Sequence, residues 1–534
     1  MLADPIDATS AASPIAPPAP ALSSMQLHDI QSLLLQGDYR TPARHFQALQ
    51  QDFENDRIGE PEYLRQAAAA SVERRSAEPA MQAWASEFPE DYFAQFAAGN
   101  YFLRIGWRAR GIQTRQFTTE HQFSLMNAYF QKALPYLYRT VELSPKPYCA
   151  LSVGIHLETA GGLDLPHSFL ALSERHIEQS VEVCLAHMWA LQPKWGGEDG
   201  ALEAFFQRIH ALDWPAESAA VLEAAYDCYQ ADILCCEGET GKAQALLAGS
   251  RHARSPRVLQ SLSRYRQQQG RHAEAAEQLQ AVIAHKPAPD LYERLATSLA
   301  ALGRDGEADA AYAQAALLGD GDAAATAANR LRPRMGDPAV AAEAVRWCEL
   351  GAEQFSGHAM FERGCHFSLG LGTPRNAEAA VPYWESALAW GSHAAIWNAV
   401  LAYWQGKGSI PRDFAKARRY AAQGAAMDCV DSTSVYGVLL YRGQGGPVDF
   451  EAALEHLYNA ACEDDVLAIS YLIRALWFGH GTGVDRAAAR KWLAALRQHG
   501  KKDDVASVTE DIFSLSGWLK SFWRQWQERP QAAR

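Results

Sequence analysis

The chain has 534 residues and is 48% hydrophobic, ample for a sizeable interior; its length suggests three or four domains unless repeats form one continuous stack. Its 49 basic and 62 acidic residues give a formal net charge of -13, which argues against a nucleic-acid backbone as main partner and suits a basic protein. Nine cysteines without a Cys-x-x-Cys pair fit buried thiols in a reducing compartment, and no apolar run could span a bilayer.

The first 24 residues are rich in Pro, Ala and Ser, with little whose burial would offset the cost of ordering, so a disordered tail is expected. They lack a basic leader and an uninterrupted apolar core, which predicts a cytoplasmic chain without a membrane partner. From Met25 onward the text turns helical. Apolar stripes appear at Ile30/Leu33/Leu34, at Phe46/Leu49/Phe53 and at Tyr63/Leu64/Ala68. An aromatic-rich hairpin runs from Met81 through Trp84, Tyr92 and Phe102 and ends at Gly106-Trp107-Arg108-Ala109-Arg110-Gly111. A further helix spans residues 123–143 and stops at Ser144-Pro145-Lys146-Pro147, where two prolines deny it hydrogen bonds. Val181, Leu185, Met188 and Trp189 mark the inner side of the next pair, which closes at Pro193-Lys194-Trp195-Gly196-Gly197.

Three of these pieces, Leu33 to Tyr39, Gly106 to Gly111 and Pro193 to Gly197, resemble the bacterial domain-of-unknown-function family numbered 4034. The resemblance covers about residues 25–250, and by its name the family implies no activity. A helical domain is therefore expected over 25–215.

Tetratricopeptide-like text follows over 216–335. Leu259, Leu262, Tyr265, Gly270, Ala275 and Leu279 fit one copy, and Leu291, Leu295, Leu299, Gly303, Ala308 and Ala311 the next. After a polar junction at Gly319-Asp320-Gly321-Asp322, a half-repeat with Ala344, Trp347 and Gly351 is expected to lead into the next segment, 336–500.

There a glycine pair recurs at Gly370/Gly372, Gly406/Gly408, Gly443/Gly445 and Gly479/Gly481, in steps of 36, 37 and 36 residues. Asn376, Asp413, Asp449 and Asp485 follow as helix N-caps, and four residues beyond each cap stands Ala380, Ala417, Ala453 or Ala489. The pattern predicts repeated helical hairpins, with glycine ending the first helix and alanine letting the two axes approach. Such hairpins cannot bury their apolar faces singly and must stack. The runs Tyr441 to Ala453 and Phe478 to Trp492 resemble the Sel-one-like repeat, a relative of the tetratricopeptide repeat; that resemblance implies a right-handed α-α superhelix serving as an adaptor for other proteins. The pattern departs from the family at Thr373-Pro374 and Ser409-Ile410, and at Val400 and Ile473 where a glycine is usual. Over 501–534, Leu515, Trp518, Leu519, Phe522 and Trp526 line one face of an expected capping helix.

Catalytic, cofactor and metal motifs fail. Gly238-Glu239-Thr240-Gly241-Lys242-Ala243 lacks the leading glycine and the final hydroxyl of a phosphate loop, and the glycines at 479–483 follow no strand. His176 and His187 lie roughly 16 Å apart along a helix, too far to share a metal. The least ordinary residues are Trp107, Arg108, Arg110, Trp189, Lys194 and Trp195, types that dominate binding hot spots, although tryptophans at helix ends also seal cores. The expected function is a non-catalytic scaffold for a partner protein, as a regulatory adaptor or a neutraliser of a toxin. The alternative is an enzyme whose site gathers His121, His156, His167, Glu198 and Asp199 from the 100–200 region.

Overall fold

The computed structural model describes residues 27–111, 118, 120–408 and 410–514. The Pro-rich tail and the tryptophan-bearing final helix expected from the sequence lie outside these residues. Among the described residues the only β pairing is an isolated bridge between Lys407 and Ile410, and everything else regular is helix. No helix there is long and apolar enough to cross a membrane.

The first ten helices are α1 (Leu27–Leu35), α2 (Arg40–Glu54), α3 (Glu60–Ala67), α4 (Glu78–Glu87), α5 (Tyr92–Arg110), α6 (Glu120–Leu143), α7 (Tyr148–Thr159), α8 (Phe169–Ser173), α9 (Val181–Ala190) and α10 (Ala201–His210). Their core is aromatic. Phe46 stacks on Phe93 at 4.6 Å and Phe53 on Tyr63 at 4.0 Å, while Trp84 is fully buried. Helix α5 is enclosed on nearly every side because two small residues admit α6: a Cβ on Gly99 would stand 2.8 Å from Leu137, and one on Gly106 2.5 Å from Phe130.

Helix pairs follow without interruption. They are α11 (Ala216–Cys236) with α12 (Thr240–Gly249), α13 (Pro256–Gln268) with α14 (His272–His285), α15 (Pro289–Ala301) with α16 (Asp305–Leu317), and α17 (Gly321–Leu331) with α18 (Pro338–Glu353). Then come α19 (Gly357–Leu369) with α20 (Ala377–Ala389), α21 (Ala395–Gln405) with α22 (Phe414–Ala425), α23 (Val430–Arg442) with α24 (Phe450–Cys462), and α25 (Val466–Phe478) with α26 (Arg486–His499), closed by α27 (Lys502–Phe513).

The capping pattern is realised in full. Asn376, Asp413, Asp449 and Asp485 each accept a backbone N–H of the helix they open, and Ala380, Ala417, Ala453 and Ala489 are wholly buried. In the last two pairs the second glycine has a further duty. At Gly445, with φ +78°, a Cβ would lie 2.1 Å from the Phe414 carbonyl oxygen; at Gly481 it would lie 2.2 Å from that of Phe450. These glycines lie against the start of the second helix in the preceding pair, so they set the spacing between repeats.

Two expectations need correction. The half-repeat before residue 357 is a complete pair: Asp337 caps α18 and Ala341, four residues on, is buried, as in the later copies. This copy lacks the glycine pair that marks the later ones in the sequence. The thiols also divide. Cys149, Cys184, Cys228 and Cys348 are buried, whereas Cys236 and Cys462 are exposed. His480, in the glycine run at 479–483, is a core residue: its Nδ1 lies 2.6 Å from Tyr441 Oη, and its ring stacks on Phe450 at 4.6 Å.

A candidate binding cleft at the junction

Each second helix in the C-terminal half hands over to the next pair through a corner residue with positive φ. These are Gly319, Phe355, Gly391, Asp428 and Asp464, recurring at about 36 residues. At every corner the following N–H reaches back five residues, from Asp320 to Ala315, Ser356 to Gly351, Ser392 to Ala387, Cys429 to Gly424 and Asp465 to Ala460. This is the bond that closes a helix through a left-handed residue, a place for glycine, asparagine or aspartate. Phe355, at φ +63°, breaks that preference. Its ring is buried, stands 4.7 Å from that of Trp390 and joins the aromatic core of the N-terminal helices.

Three successive corners carry the N-terminal helices. Arg108 donates to the Gly319 carbonyl at 2.8 Å, Phe355 enters the core, and the Trp390 ring lies 6.2 Å from that of Tyr129 on α6. Nearby, the Ser76 N–H donates to Glu353 at 3.2 Å. The N-terminal helices therefore dock on the repeats, and a cleft of about 920 Å³ remains between the two surfaces. Arg104, Trp107 and Arg108 of α5, His156 of α7 and Glu182 of α9 form one wall. Asp322, Phe355, His358 and Trp390 form the other.

The two arginines of the first wall share one carboxylate. Glu73 accepts from Arg108 at 2.8 Å and is ion-paired with Arg104. Burial acts to raise the Glu73 pKa, but the two guanidiniums outweigh it and hold the carboxyl below its usual range. Burial pushes His156 down to about 4, so its imidazole is neutral at physiological pH. Glu182 accepts a hydrogen bond from Ser152 at 2.8 Å, and Asp322 one from Ser356 at 2.5 Å. Among the described residues neither carboxylate forms an ion pair. His358 lies 3.1 Å from Asn329 and 3.7 Å from Glu362, which also pairs with Arg332. Burial favours the neutral form of Glu362, yet the His358 hydrogen bond and Arg332 prevail and lower its pKa.

Five of the six residues singled out in the sequence gather at this cleft or behind its wall. Trp107 borders it, with the Arg110 guanidinium 5.9 Å from the indole. Trp195 stands edge-on to Trp107 at 6.2 Å and lies 4.4 Å from Trp189, whose ring in turn contacts His156 at 4.4 Å. Arg108 is occupied by Glu73 and the Gly319 carbonyl. Lys194 stands apart, 3.4 Å from Asp232 on α11. Of the residues considered for catalysis only His156 reaches the cleft; His121, His167, Glu198 and Asp199 lie exposed elsewhere. His187 hydrogen-bonds Ser173 at 2.5 Å and stacks on Phe205, while His176 stands edge-on to Tyr148 at 5.5 Å. Among the described residues no cluster of three or more His, Cys, Asp or Glu is arranged to hold a metal.

Sequence reasoning missed Glu73, Glu182, Asp322, Phe355 and Trp390. One signal was available: in the 36-residue register, Phe355 aligns with glycine or aspartate.

The helix pairs α19–α20, α21–α22, α23–α24 and α25–α26 coincide with four matches to the Sel1 repeat, at residues 357–389, 396–429, 432–465 and 467–497. These four pairs match the Sel1 repeat model. Residues 26–172 match a domain of unknown function, DUF4034. Ahead of the Sel1 repeats, the α17–α18 pair carries the same cap and alanine outside the matched ranges. Among solved structures, the chain is similar to a Sel1 repeat protein from Oxalobacter formigenes, with 18% identity and a TM-score of 0.40 over 60% of this chain and 92% of that one. It is also similar to a protective antigen of uropathogenic Escherichia coli strains that displays an SLR fold, with 15% identity and a TM-score of 0.44 over 84% and 94%. A third similarity is to the APC/C hetero-tetramer Cut9-Hcn1, with 14% identity and a TM-score of 0.30 over 84% and 95%. No curated protein matches the chain.

Proposed function

We propose that the chain is a non-catalytic, cytoplasmic scaffold that holds a segment of another protein at the junction between its N-terminal helices and its Sel1 repeats. Of the six residues singled out in the sequence, Trp107 and Arg108 contribute directly to the contact surface, Arg110, Trp189 and Trp195 support Trp107 from behind, and Lys194, paired with Asp232, takes no part. Regulatory adaptor and toxin neutraliser are two roles such a scaffold fills. The observation that carries the reading is the cleft itself: an open space of about 920 Å³ between two packed units, walled by aromatic rings and a few charged groups. Binding sites concentrate in such places.

The test places a photoreactive benzoylphenylalanine at Val153, on the cleft wall, or at Val221, 43% exposed on α11. Irradiated cells should yield an adduct to one other polypeptide from position 153 and none from 221. Adducts confined to the chain itself would overturn the reading.

A further inference from the structure

The balance of charge in the cleft names a ligand class. Its two arginines share Glu73, and Arg108 also donates to the Gly319 carbonyl, so both are hydrogen-bonded within the fold, and with Glu182 and Asp322 the lining sets three carboxylates against two guanidiniums. His156 is half-buried and neutral. What remains is negative. Glu182 and Asp322 line the cleft from opposite walls, and the side chain of each accepts a hydrogen bond from a serine hydroxyl, Ser152 or Ser356, while among the described residues neither forms an ion pair. Trp107, Phe355 and Trp390 line the same space with aromatic carbon.

Carboxylates beside aromatic faces form an environment for an organic cation, which gains both the ionic contact and the attraction of the ring quadrupole. The whole chain works in the same sense, because a net charge of -13 draws basic ligands toward it. A volume of about 920 Å³ exceeds what one side chain fills and suits a short length of polypeptide.

We infer that the cleft binds a basic peptide segment by seating an arginine side chain between the indoles of Trp107 and Trp390, with its guanidinium paired to Glu182 and Asp322. This rests on the scaffold reading and adds to it the chemistry of the bound segment. Arginine is favoured over lysine because its planar fork donates to two carboxylates while its face lies on an aromatic ring.

The experiment uses the full chain labelled with 5-fluorotryptophan, its cleft resonances assigned by Trp107→Phe and Trp390→Phe. The probes are capped octapeptides of glycine and serine with three arginines, or with citrulline or lysine in their place. The arginine peptide should shift the Trp107 and Trp390 resonances saturably and leave Trp492, on α26, unmoved. Citrulline should weaken binding at least tenfold, and lysine should fall between. The double variant Glu182→Gln, Asp322→Asn keeps both hydrogen-bond acceptors, and its circular dichroism should match the parent; it should lose at least tenfold in affinity.

Equal response to arginine and citrulline peptides, or unchanged affinity in the folded double variant, would overturn the inference. So would agmatine binding as tightly as the peptide, since a small cation would then suffice. Photo-adducts to another protein from position 153 alongside a negative peptide result would sink the cationic ligand and leave the scaffold standing.

Discussion

Phe355 holds a backbone conformation that costs a bulky residue about 1–2 kcal/mol, and it persists because its ring is buried between Trp390 and the N-terminal core. Phe355→Gly relieves the backbone but loses the ring, and losing a buried phenylalanine outweighs the relief. A net destabilisation of about 2 kcal/mol is expected in urea melts. At Asp449, which accepts the Ala452 N–H at 3.0 Å, alanine should remove about 1 kcal/mol through loss of the cap. Ala453→Trp, four residues on at a fully buried position, should cost more by forcing α23 and α24 apart. Equal shifts in the same melts would contradict that ranking.

His156 supplies a pH dependence. Its folded pKa of about 4 lies below the 6.5 of the unfolded chain, so the unfolded state binds more protons between those values. The neutral-imidazole stabilisation is therefore complete above about pH 6.5 and declines as pH falls toward 4, by roughly 3 kcal/mol in all. Since other buried histidines, among them His187 and His366, also have lowered pKa values, the diagnostic quantity is a difference. His156→Gln should show a shallower loss of stability than the parent between pH 6.5 and 4.

Among helices, the repeats display what local chemistry writes into a sequence and what it does not. The caps and the alanines could be read directly because each acts within a few residues of its partner, as Asp485 does on the Ala488 N–H. The glycines were legible only by half. Their left-handed backbone followed from residue type, but the abutment of Gly445 on Phe414 and of Gly481 on Phe450 comes from packing between repeats, which no short window contains. The distinction is measurable. Gly270 has φ +73°, and a Cβ added there would meet nothing within 4 Å, so Gly270→Ala should cost about 1 kcal/mol. Gly445→Ala adds a steric collision to the same backbone penalty and should cost several times more, or prevent the last two repeats from seating.

The all-helical repeat architecture was legible in the sequence because its period of about 36 residues recurs several times. The cleft was not, since its walls join residues more than two hundred positions apart, such as Arg108 and Gly319. Three corners of the stack are covered by α5, α6 and their neighbours. Glu73 supports that docking because it is largely shielded from water and holds both Arg104 and Arg108, the second of which reaches the Gly319 carbonyl. Glu73→Gln would leave both guanidiniums without their anion, and because water reaches Arg104 and Arg108 a loss of about 1–2 kcal/mol is expected by thermal or urea unfolding. Limited proteolysis should then cut the N-terminal helices away from the repeats faster than in the parent.

Tandem arrays ordinarily grow and shrink by duplication, since any unit can stand beside any other. The corner at Phe355 ends that freedom: a copy bearing aspartate there, as at Asp428, would bring a carboxylate to an oily socket and leave Trp390 without its neighbour. The length of the array can therefore change toward its far end, while the seam against the N-terminal helices admits one unit alone.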